Sequence, residues 1–92
     1  MIVNLTADER LNLQYILPVQ GSLETLELVE KIVSKCKINE TKDLETIEID
    51  FDETEIEFIQ DMINFLDSQK RLSLQALSLI RKILNIKEIN HV

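Results

Sequence analysis

Two short strings fix more of this chain than any other feature. Val3-Asn4-Leu5-Thr6-x-x-Glu9 returns as Ile49-Asp50-Phe51-Asp52-x-x-Glu55. In each, alternating apolar residues are followed by a hydroxyl or carboxylate residue with a glutamate three places on. A side-chain oxygen at the first position can accept from the amide three residues later, and the glutamate can accept from the amide of the capping residue. Each string therefore predicts a strand that stops and a helix that starts within two residues. Helix one begins at Ala7, and helix three begins after Asp52.

The rest of the chain extends the parallel. Helix one carries Leu11, Leu13, Ile16 and Leu17 and stops before Pro18, whose ring and missing N–H disfavour continuation. Ser22 caps helix two, whose apolar positions Leu26, Val29, Ile32, Val33 and Cys36 follow three-and-four spacing to about Lys37. Residues 38–43 read as a polar loop, and Ile47, Ile49 and Phe51 alternate with Glu48 and Asp50 as a half-buried strand should. Helix three places Ile56, Ile59, Met62, Ile63 and Leu66 inward; Ser73 caps helix four, with Leu77, Ile80, Ile83 and Leu84 inward; Asn85 to Val92 read as a fraying end. SLETLELVEKIV (22–33) also lies on SLQALSLIRKIL (73–84).

The expected fold class is α+β and mostly helical. Residues 1–92 form one small domain of two pseudo-repeated strand-helix-turn-helix units, about 2–37 and 46–85. Val3–Leu5 and Ile47–Phe51 are its two short strands, antiparallel if a local two-fold relates the halves. Two strands are marginal alone and must rest on the helices, and their open edges, like the helix faces, allow a homodimer.

Composition narrows the function classes. The 92 residues, 45% apolar, suffice for one core and not for a two-lobed enzyme. Cys36 is the sole cysteine, which excludes an intramolecular disulfide and a cysteine-rich zinc site and suits a reducing cytoplasm. No apolar run approaches the roughly 18 to 20 residues that span a bilayer, and no basic segment with a cleavage site opens the chain, so a soluble cytoplasmic protein with no membrane contact is expected.

The net charge of -7 is regional. Residues 43–69 hold ten acids and no Lys or Arg, leaving seven acids against ten bases elsewhere. That stretch repels phosphate backbones, so direct nucleic-acid binding by it is not expected, although Lys70, Arg71, Arg81 and Lys82 allow a modest basic patch. Outward-facing Glu48 and Asp50 on the strand, with Glu53, Glu57 and Asp61 at one-turn spacing on the helix, form the candidate partner surface.

Sharper chemical readings fail on context. Asp50-Phe51-Asp52-Glu53-Thr54 fits the D-x-D-x-T pattern of haloacid-dehalogenase-type phosphate hydrolases. Those enzymes need a fully apolar strand before the motif, a doubly wound sheet, a lysine and further downstream acids, and this chain has neither the length nor the apolar strand. A calcium loop lacks its sharp-turn glycine and would end at Asp61 inside a helix. His91 lies beside the C-terminus without a second histidine, Cys36 falls on an apolar helix face, and Gly21 is the sole glycine, which excludes a glycine-rich phosphate loop. No nucleophile, base and oxyanion donor can be assembled, so neither an enzyme nor a metal or cofactor site is expected.

Leu5, Thr6, Glu9, Arg10, Ile16, Leu17, Pro18, Gln20, Gly21, Ser22, Thr25 and Leu26, with an acidic strand and helix pair after them, resemble a group of small uncharacterised phage and prophage proteins of low-GC Gram-positive bacteria. The middle departs, since residues 38–45 are shorter than in that group. The resemblance implies a phage-type gene product in a bacterial cytoplasm and no mechanism. The expected role is a non-catalytic protein acting through protein–protein contact with a host or phage protein, for which a basic partner would suit the acidic face; the alternative is an acidic DNA mimic that occupies a basic nucleic-acid-binding protein.

Overall fold

The computed structural model describes residues 1–36 and 46–89. Their order is β1 (Ile2–Leu5), α1 (Ala7–Ile16), α2 (Leu23–Cys36), β2 (Ile47–Asp50), α3 (Glu53–Ser68), a 3-10 turn (Leu74–Ala76) and α4 (Leu77–Ile89). This is the expected α+β arrangement of four helices and one two-stranded antiparallel sheet. The loop expected over residues 38–43 lies outside the described residues.

Both capping boxes are closed. Thr6 Oγ1 accepts from the Glu9 amide at 3.1 Å while Glu9 Oε1 accepts from the Thr6 amide at 2.9 Å. Asp52 and Glu55 repeat the exchange at 2.8 Å each way. Ser22 Oγ accepts from the Thr25 amide at 3.1 Å, capping α2 as expected. Helix four departs from expectation at both ends. Ser73 makes no side-chain cap bond, and its segment opens as a 3-10 turn. Its α-helix continues to Ile89, so residues 85–89 extend it rather than fray.

In the sheet, Val3 pairs with Ile49, and Asn4 with Glu48. Period-two geometry sends Val3, Leu5 and Ile49 into the core and leaves Ile2, Asn4, Glu48 and Asp50 outside. Against the inner face pack Leu13, Ile32, Phe51, Ile56, Ile59, Leu79 and Ile83, all without solvent exposure. Burial of each contributes roughly 1.5–3 kcal/mol of transfer free energy. Three positions expected inside are not in this core: Leu11 and Leu26 are exposed, and Leu77 is half-buried. The buried stripe runs from Ala76 in the 3-10 turn through Leu79, Ile80 and Ile83 of α4, a face that leaves Leu77 to one side.

The halves grip each other reciprocally. Lys82 of α4 donates to the Asn4 carbonyl at 2.8 Å and to Glu9 Oε1 at 2.7 Å. Lys35 of α2 donates to the Asp50 carbonyl at 3.0 Å and to Glu55 Oε1. Each glutamate that closes a capping box thus also receives a lysine from the other half. Phe51 N–H donates to the Met1 carbonyl, so alternation turns the carbonyls of Asn4 and Asp50 toward the two outer sheet edges. The edges expected to be open each carry a lysine on one carbonyl, a device that discourages pairing with another chain.

Candidate interaction surface

The strand–helix junction at Phe51-Asp52 carries the acidic stretch. Glu48, Asp50, Glu53, Glu57 and Asp61 are all exposed. Glu48 and Asp50 share the outer sheet face with Ile2 and Asn4 because alternate residues point the same way. Glu53, Glu57 and Asp61 line one side of α3 because residues four apart fall on one face. The first turn of α3 also gains from its acids, which meet the positive end of the helix dipole.

Within the stretch the sequence shows no compensating base, but the fold supplies several. The Met1 amino group contacts Asp50 Oδ1 at 2.8 Å, Lys31 meets Asp52 Oδ2 at 3.2 Å, and Lys35 meets Glu55. The amino group holds the Asp50 carboxyl below its ordinary value, and the Glu55 amide, aided by Lys31, does the same for Asp52. Asp52 in turn raises the Lys31 ammonium. Among the described residues, Glu48, Glu53, Glu57 and Asp61 make no ion pair. The surface read from the sequence therefore divides: among the described residues one of its five carboxylates is matched by a cation, and four are exposed without one.

Two buried glutamates escaped sequence reading as anything more than caps. Glu55 is 0% exposed and Glu9 4%. Burial opposes the charged form of Glu9, but Lys82, the Thr6 amide and Ser78 outweigh it and its carboxyl sits below the ordinary value. Their role is architectural, since each joins a helix start, a sheet edge and a distant helix. Two further carbonyls, one at the last residue of α2 and one midway along α4, are tied by buried side chains: Arg10 donates to Cys36 O at 3.2 Å and Gln60 to Ile83 O at 3.0 Å.

Cys36 is buried, and that burial pushes its thiol up to about 11 against a partial offset from Arg10. Such a group is protonated at neutral pH and is a poor nucleophile. Among the described residues no group of three His, Cys, Asp or Glu side chains is placed to hold a metal ion, and no helix is long and apolar enough to cross a membrane. His91 lies outside the described residues. No family model matches this chain, and comparisons with curated proteins and with solved structures found no match.

Proposed function

We propose that this chain is a non-catalytic interaction protein, of phage type and working in a bacterial cytoplasm, that binds a basic protein partner through Glu48, Glu53, Glu57 and Asp61, with Asp50 at the margin. One observation carries the reading: Glu48, Glu53, Glu57 and Asp61, which make no ion pair among the described residues, stand beside Asp50, Asp52 and Glu55, each of which has a cation from its own chain. Lys31 and Lys35 serve two other members of the acidic stretch, Asp52 and Glu55. Like charges left together oppose folding slightly, and a complementary partner relieves them while speeding encounter.

A second reading is an acidic DNA mimic. Glu53, Glu57 and Asp61 repeat every four residues, a rise of about 6 Å per step along a helix, which gives a regular row of negative charge that a nucleic-acid-binding protein can accept.

The test uses the full chain as bait in a bacterial lysate beside a variant carrying Glu48→Gln, Glu53→Gln, Glu57→Gln and Asp61→Asn. The wild type is expected to retain a basic protein that the variant loses, with slower association in low salt as the cause. Equal retention and equal association rates would refute the reading. Competition by duplex DNA for the captured partner would select the mimic over the general interaction protein.

A further inference from the structure

A groove of about 470 Å³ opens between α1 and the turn that joins α3 to α4, well separated in composition from the acidic face. Tyr15, Ile16, Leu66 and Leu72 give it apolar walls, Asn12 adds an amide, and Arg71 is the charged residue among its lining. No carboxylate lines it. Asn12 donates to the carbonyls of Asp8 and Gln75 at 2.9 and 3.2 Å, tying α1 to the opening turn of α4, so the two walls are fixed relative to each other.

Lys31, Lys35 and Lys82 are each held by carboxylates of their own chain. Arg71, the adjoining Lys70 and Arg81 make no ion pair among the described residues, in a chain whose net charge is -7, and of these Arg71 lines the groove. An unpaired guanidinium beside an apolar cleft is suited to a carboxylate, which it can bind through two parallel hydrogen bonds. The apolar surface also runs past the groove, with Tyr15 82% and Leu74 83% exposed. Tyrosine and arginine bordering a partly apolar recess are the residue types that anchor protein–protein contacts. The groove lining carries one cation rather than a row of them, which suits a single side-chain carboxylate better than the successive charges of a phosphate-bearing polymer.

We propose that this groove binds an acidic peptide segment of another protein, with a partner carboxylate on Arg71 and an apolar partner side chain between Tyr15 and Leu72. The surface is separate from Glu48, Glu53, Glu57 and Asp61 and opposite to them in charge, so the chain has two faces for two kinds of partner.

The probe is a blocked hexapeptide alternating glutamate with leucine and phenylalanine, titrated into the nitrogen-15-labelled full chain and followed by amide shifts. Its control has lysine in place of each glutamate. The acidic peptide is expected to move the amides of Tyr15, Leu72 and Gln75, and the lysine peptide is expected not to. Arg71→Gln, at an exposed position and with its fold verified by its own spectrum, is expected to weaken binding roughly tenfold, the loss of one charge-assisted contact. Tyr15→Ala should also weaken it. The proposal is overturned by any of four results: no shifts at millimolar peptide, shifts lying away from the groove, undiminished affinity in Arg71→Gln, or displacement of the peptide by a single-stranded oligonucleotide. It is equally overturned if concentrating the protein alone produces the same shifts with slower diffusion, which would make a second copy the occupant. Neutralising the acidic face should leave the site of these shifts unchanged, so failure here and failure of the acidic-face reading are separable.

Discussion

Lys82 and Glu9 stand 73 residues apart in sequence and 2.7 Å apart in space. The contact completes a relationship that Lys35 and Glu55 repeat in the other half. Removing one lysine leaves a buried carboxylate with its cap amide but no cation, and frees a sheet-edge carbonyl. Lys35→Met, which strands the fully buried Glu55, is expected to cost about 2–4 kcal/mol, and Lys82→Met, whose ammonium is more exposed, about 1–3 kcal/mol. Methionine keeps the apolar stem, so packing loss does not confuse the result. Urea denaturation midpoints check this, with Lys31→Met as the surface control expected to match the wild type. Parity between Lys35→Met and that control would remove the reciprocal grip from the account.

The caps themselves make a second test. Thr6→Ala abolishes the bond to the Glu9 amide and is expected to cost about 1 kcal/mol. Asp52→Ala is expected to lower the midpoint in the same direction, with Asp52→Asn restoring most of it because asparagine also caps. Asn4→Ala, on the outer sheet face, is expected to leave the midpoint within error. Thermal or urea unfolding of the four variants is sufficient.

How far these features could be read in the sequence follows from how local they are. A capping box is decided within four residues, and strand alternation within five, so the starts of α1 and α3, the sheet and the exposure of Glu48, Asp50, Glu53, Glu57 and Asp61 were all legible. Helix four was read less well. LSLIRKIL offers Leu77, Leu79, Ile80, Ile83 and Leu84 to two overlapping stripes, and packing against α1, α3 and β1, which no local signal announces, decides between them. The string match of 22–33 on 73–84 pairs Lys31 with Lys82, whereas in space Lys35 does the work of Lys82, one helical turn later. The cations that reach Asp52 and Glu55 come from a helix distant in sequence, so the apparent lack of compensation in 43–69 reflected only what a linear reading can see.

Acid should unfold the protein through the same groups. Glu9, Asp50 and Asp52 all have carboxyls held below their ordinary values of 4.5 for Glu and 3.8 for Asp. As pH falls, the unfolded chain therefore takes up these protons first, and the stability they contribute is complete above the ordinary range and lost as pH drops through the folded values. Stability is expected to be level from about pH 8 to 5 and to decline below about pH 4.5. Glu9→Gln, less stable at neutral pH, should show a shallower decline. Urea midpoints measured across that range would contradict this if the two proteins lost stability in parallel.

Cys36 offers a direct readout of opening. Its thiol is buried at the end of α2 and protonated well above neutral pH, so a disulfide reagent at pH 8 is expected to label it slowly in the native state and at once in urea. A labelling rate that follows global stability across the lysine variants would show that α2 opens only with the whole fold. Rapid native labelling would mean that this end of α2 separates from the core on its own.

The turn after α3 holds a residue that sequence preference would not choose. Lys70 adopts φ 56°, the left-handed region that glycine occupies without steric cost. The position is forced by the helix end: the Lys70 amide donates to the Asp67 carbonyl at 3.0 Å, and the Arg71 amide donates to the Leu66 carbonyl at 2.9 Å. That pair of bonds is the Schellman arrangement, whose left-handed residue is usually glycine. Lys70→Gly relieves the contact between the side chain and the backbone at the expense of a more flexible unfolded chain, and the first effect is the larger. A net gain of about 0.5–1 kcal/mol in unfolding free energy is expected. Lys70→Val, whose branched side chain tolerates this region worst, should destabilise the fold and shift the amide resonances of Arg71 and Leu72. If glycine lowers the urea midpoint instead, the Lys70 side chain contributes a stabilising interaction that outweighs its backbone cost, and the turn is not under strain.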